Sequence, residues 1–146
     1  MKNAILCLAL LFSVCLAPHR AAALTNTCTN AQDELASGKL GAARSLAEIF
    51  DIKKEFPGCA GGGLSEEISD AVVVRLAGHW NQSIVELYQR NADAVFVAFV
   101  LQHIDATTSE ADLKQVIGHA SSSCPVQSKA ICGRVKEAAK AALSDL

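Results

Sequence analysis

The sequence predicts an all-α fold, a compact bundle of about seven mostly short helices stapled by two disulfides. Three observations predict it. Apolar residues recur mostly at helical spacing along the chain. Beyond residue 23, proline occurs only at Pro57 and Pro125, and aromatic residues are few. Four cysteines remain in that part, an even number behind an opening that reads as an export signal.

The opening MKNAILCLALLFSVCLAPHRAAAL has the layout of a secretory signal peptide over residues 1–23. Lys2 supplies the positive start, residues 4–17 are almost unbroken apolar, and Pro18 ends the run. Residues 21–23 offer an A-x-A cleavage site. The run is shorter than the ~20 residues that span a bilayer. Residues 24–146 then form a single helical domain of 123 residues, enough for one core.

Thr29 or Asn30 caps a short first helix ending near Gly38. A second helix covers 40–55, with Leu46, Ile49 and Phe50 on one face, and Phe56-Pro57-Gly58 stops it. PGCAGGG follows, with four glycines in seven residues, and reads as a connector. Its other reading, a backbone nest for an anion, lacks the Gly-Lys-Ser/Thr ending of a phosphate loop. Ser65 caps a third helix, with Glu66 and Glu67 at its positive dipole end and Ile68, Val72, Leu76 and Trp80 along it. Ile84, Leu87 and Tyr88 mark a short fourth helix after Asn81.

Residues 94–101 are apolar on every side and rich in Phe and Val, a composition that also suits a buried strand. Helix is predicted, because no second strand exists to pair the backbone. An all-apolar helix belongs at the bundle centre. Two capping boxes compete for the next start, Thr107 with Glu110 and Ser109 with Asp112. Leu113, Val116, Ile117 and Ala120 line that helix, and Ser121 to Ser123 end it. Ile131, Val135, Ala138 and Ala142 carry the last one.

Cys28, Cys59, Cys124 and Cys132 have no C-x-x-C spacing, which argues against a zinc ribbon or a redox pair. Four cysteines allow three connectivities. Local geometry favours Cys28 with Cys59 and Cys124 with Cys132. An unbroken helix over 124–132 would hold its ends ~12 Å apart, too far for a bridge. The local pair therefore requires residues 124–127 to fold back as a loop, with Ser128 capping the next helix. Otherwise Cys124 or Cys132 bridges to the N-terminal pair.

Removing Lys2 and Arg20 leaves 11 basic against 15 acidic residues, with no basic cluster, so nucleic acid is not an expected partner. No second apolar run is long enough to cross a membrane. There is no G-x-S-x-G and no H-E-x-x-H, and no cofactor motif. His79, His103 and His119 each fall near the end of a predicted helix, a position that suits His⁺. Were they to converge, they would offer three zinc ligands or an acid–base set. Trp80 is a candidate core residue or interface anchor. Leu76, Phe96, Phe99, Val100 and Leu101 are candidates to line an apolar ligand cavity or simply to fill the core. Asn81-Gln82-Ser83 is a glycosylation sequon, relevant only in a eukaryotic host.

ISDAVVVRLAGHW and FVLQHIDATTSEADLKQVIGHASSSCP resemble segments of an uncharacterised group of small exported bacterial α-helical proteins with two disulfides. More coarsely, the architecture resembles periplasmic immunity proteins, which neutralise toxins. The resemblance implies an exported chain, periplasmic in a bacterium and secreted otherwise, whose partner is another protein. Three functions are expected in descending order. These are a non-catalytic protein-binding or inhibitor-like module, a carrier of a small apolar ligand, and a histidine- or metal-dependent hydrolase.

Overall fold

A computed structural model of the chain describes residues 27–59 and 61–146. The predicted signal peptide and its A-x-A site lie outside them. Among the described residues there are seven α-helices and no strand. They are α1 (Asn30–Ala42), α2 (Leu46–Glu55), α3 (Gly63–Gly78), α4 (Trp80–Gln89), α5 (Ala94–Gln102), α6 (Glu110–Ser122) and α7 (Lys129–Ser144). Single 3-10 turns at Pro57–Cys59 and Val126–Ser128 precede α3 and α7.

Thr29 caps α1 in a reciprocal box with Gln32. The helix does not end near Gly38, as its sequence suggests, but runs on through Gly41 to Ala42. Neither glycine takes the left-handed conformation that terminates helices; among the described residues a positive φ occurs only at Gly62 (φ 67°), just before α3. The stop comes from Ser45. Its Oγ accepts from the Glu48 N–H, so the chain leaves α1, turns through extended Ala43, and starts afresh at Leu46. The predicted 40–55 helix is thereby shortened.

Gly62 also moves the start of α3 ahead of Ser65, which lies inside the first turn and does not cap. Of the two competing boxes before α6, Ser109 is the cap. Thr107 instead donates to the Asp105 carboxylate.

The 94–101 tract is helical, as predicted, but it is not central. Phe96, Val97, Phe99 and Val100 are buried, whereas Val95 is 70% exposed. α5 is nine residues long and packs on α2 and α7. The central place belongs to the sixteen-residue α3, which packs on α1, α2, α4 and α6. Leu64, Ile68, Val72, Val73 and Leu76 of α3 are all buried there. α6 and α7 are closely packed against each other.

Both expected disulfides are present. Cys28–Cys59 ties the start of α1 to the turn after α2, with Cα atoms 4.6 Å apart. Cys124–Cys132 spans 6.2 Å between Cα atoms. It closes because residues 124–128 do fold back, as a 3-10 turn. Ser128 is the residue before α7, but its side chain makes no cap, and its buried Oγ has no hydrogen-bond partner among the described residues.

Candidate functional site: a sign-changing cleft on the central helix

Three features of the described surface combine shape with polar chemistry. The first is a cleft of about 640 Å³ between α1 and α3. It stays open because α1 and its exit present small residues there, Ser37, Gly41 and Ala43. Buried Leu40 and Ile49 and the half-exposed Val74 give it an apolar floor. α3 supplies the charged wall. Glu66, Asp70 and Val74 form one row at four-residue spacing, and Glu67, Ala71, Arg75 and His79 form the next. Both rows face one side of the helix, so a single element positions carboxylates at one end and the Arg75 guanidinium toward the other.

The second is a more polar cleft of about 490 Å³ at the break between α3 and α4. The break is one residue long. His79 both ends α3 and begins α4, with φ −131° and ψ 41°, and its N–H donates to the Arg75 carbonyl. Ser83 Oγ donates to the same carbonyl at 3.1 Å, which pins the corner. Exposed His79 lines both clefts, so they meet at this residue. His119 donates from Nε2 to the Ala77 carbonyl at 3.1 Å, and its ring stacks on Trp80 at 5.8 Å between centroids. Trp80 is 4% exposed and donates its Nε1–H to the Ser123 carbonyl at 3.0 Å. It is a core residue with one edge on the cleft, and its indole holds α4 against the end of α6.

The third is a polar chain, Ser69, His103 and Asp105. Ser69 is 1% exposed. Its Oγ lies 2.6 Å from Asp105 Oδ2 and 3.0 Å from His103 Nδ1. Proton counting fixes the roles. A serine hydroxyl has one hydrogen, and a carboxylate only accepts. Ser69 therefore donates to Asp105, and His103 donates from Nδ1–H to Ser69. Burial works to raise the Asp105 pKa, but hydrogen bonds from Ser69 and Thr107 outweigh it and hold the carboxyl below its ordinary value. Burial lowers the His103 pKa, with Asp105 opposing and Lys53 adding to the shift. In a nucleophilic triad the base takes the serine proton and the carboxylate orients the base. Here the carboxylate accepts the serine hydrogen bond directly, the hydroxyl is buried, and the chain instead fastens α3 to the end of α5 and the loop after it.

The histidines thus do not converge. His79 and His119 share the second cleft, and His103 stands apart with Ser69. Among the described residues no group of three or more His, Cys, Asp or Glu side chains is arranged to hold a metal ion. Leu76, Phe96, Phe99 and Val100 are buried in the core, and Leu101 packs against it. Phe50 packs on Phe96 and Phe99 at 5.5 and 5.0 Å between centroids. None of these residues is in the wall of the clefts described here. Arg75, Asp70 and Ser69 carry no motif. Only the four-residue spacing along α3 links the first two, and nothing local links Ser69 to residues 103 and 105.

No helix among the described residues is long and apolar enough to cross a membrane. Comparison with protein families, curated proteins and solved structures finds no match to this chain.

Proposed function

We propose that this is an exported, non-catalytic protein-binding module of the inhibitor or immunity type, and that the α1–α3 cleft is its contact surface. The observation carrying this reading is the cleft itself, an apolar floor rimmed by charges that form no ion pair among the described residues, on a helix that packs on four others. A rigid groove loses little conformational freedom on binding, which favours affinity. Two disulfides in a small domain support an oxidising, extracytoplasmic address.

Site-specific photocross-linking in the native host tests the reading. A benzophenone side chain at Val74, in the cleft, is expected to capture one dominant protein. The same group at Val126, 77% exposed in the loop closed by Cys124–Cys132, is not. The captured protein, purified, should bind the isolated chain and lose about tenfold or more in affinity on Val74→Arg. Capture from Val126 alone, or binding indifferent to Val74→Arg, overturns the proposal.

The volume of the cleft also lies in the range of small-molecule sites, about 300–1,000 Å³, which is the one observation that favours the carrier reading. A carrier would hold its ligand in this cleft and not among the core phenylalanines. Native mass spectrometry of protein purified from the host separates the two readings, since a carrier shows a bound species of discrete extra mass.

A further inference from the structure

Taking the α1–α3 cleft as the contact surface, we infer the chemistry of its occupant. It is an extended peptide segment of the partner, with a basic side chain at one end, an acidic side chain ~12 Å away, and apolar residues between.

The polarity of the α3 wall carries this. Glu66, Glu67 and Asp70 line one end and Arg75 lies toward the other, with Val74 beside it and Leu40 and Ile49 beneath. Glu67 and Arg75 stand eight positions apart on one helix. At 1.5 Å per residue that is ~12 Å, a span that about four residues of extended peptide cover. Five ion pairs occur on other parts of the described surface, and none uses Glu66, Glu67, Asp70 or Arg75. First-turn placement accounts for Glu66 as a partner of the helix dipole. It does not account for Asp70, which lies in the second turn.

Arg75 supplies an independent observation. Its Nε is buried and has no hydrogen-bond partner among the described residues. Buried donors in folded proteins are nearly always satisfied, so this one leaves Arg75 with a cost that a ligand acceptor on the accessible part of the same guanidinium would offset. A carboxylate is the acceptor that matches a guanidinium best. Opposite charge at the two ends also fixes the direction in which the segment lies, and like charges at either end exclude competitors.

Display selection of short random peptides on the full, oxidised chain tests the assignment. Enriched peptides are expected to share a Lys or Arg and an Asp or Glu about three to four positions apart, with apolar residues between. Fluorescence anisotropy of the tightest enriched peptide should show about a tenfold loss on Glu67→Lys and on Arg75→Gln. The double variant Glu67→Lys, Arg75→Glu should prefer the same peptide with its two charges exchanged. That preference is a readout that lost folding does not mimic, and unchanged melting temperatures qualify each variant. Absence of enrichment, peptides without the charge pair, or affinity unmoved by these substitutions overturns the assignment. Uncharged peptides that still lose binding on Val74→Arg overturn only the charge assignment, whereas failed cross-linking from Val74 overturns the cleft itself.

Discussion

At the scale of single residues, the informative groups are polar atoms that burial forces into definite roles. His103 is the clearest. Burial makes its imidazole harder to protonate in the folded chain than the ordinary value of 6.5. As pH falls below about 6.5 the unfolded chain takes up that proton first, so stability declines from there down to the lowered folded pKa. Above about 6.5 the contribution is complete. Asp105 works lower on the scale. Its depressed pKa stabilises the fold above about 3.8 and is lost only as pH falls through the folded value. Between about pH 7 and pH 5, then, His103 acts and Asp105 does not. Thermal melts across that range should show a falling melting temperature, and His103→Asn should flatten part of the slope. Asparagine keeps a donor near the Nδ1 position, so the bond to Ser69 can survive while the titration cannot. A variant with the full wild-type slope would show that His103 is not the responsible group.

At the scale of elements, helix starts decide the chain path more than helix interiors do. The first turn of α2 shows how. Ser45 satisfies the Glu48 N–H, and Glu48 in turn accepts from the Arg44 N–H at 2.6 Å. The remaining first-turn donors are taken by a side chain from another helix. The Glu86 carboxylate on α4 accepts from Leu46 N at 3.0 Å and from Ala47 N at 2.8 Å. A carboxylate at a helix N-terminus also meets the positive end of the dipole. Removing this half-buried acceptor strands two donors, so Glu86→Ala should cost about 1–2 kcal/mol in urea denaturation. Glu86→Gln, which keeps one acceptor oxygen, should cost less. Equal losses for the two substitutions would mean that packing of the side-chain stem, and not the hydrogen bonds, is what matters.

At the scale of the whole molecule, the two disulfides act on different lengths of chain. Cys28–Cys59 closes a loop of sequence separation 31 and Cys124–Cys132 one of 8. Loop-closure entropy gives about 4 kcal/mol for the longer and about 2.5 kcal/mol for the shorter. Replacing the Cys28–Cys59 pair by serine should therefore lower the melting temperature more than replacing Cys124–Cys132. The reverse order would show that the short clasp acts mainly by holding native packing of α7 and not by restricting the unfolded chain.

The sequence by itself determined the helical class, because apolar periodicity is a local property that every window of the chain displays. It favoured both disulfide pairs without deciding them, since the Cys124–Cys132 bridge depended on residues 124–127 turning back. The caps at Thr29 and Ser109 were legible for the same reason, since a cap lies three residues from the group it serves. Tertiary structure alone decided the rest. Glycines at 38 and 41 stayed helical because packing outweighed a penalty of ~1 kcal/mol each. Centrality went to α3 and not to the more apolar α5, because length and the number of neighbouring helices, not composition, set how much of a helix is enclosed. The charges of the cleft lay in plain sight along one face of α3, but only the small residues of α1 opposite them leave that face uncovered. Glu86 reaches α2, and Ser69 reaches His103 and Asp105, across more than thirty residues of chain. Such contacts have no local signature, because they exist only once burial has brought distant helices within hydrogen-bond reach.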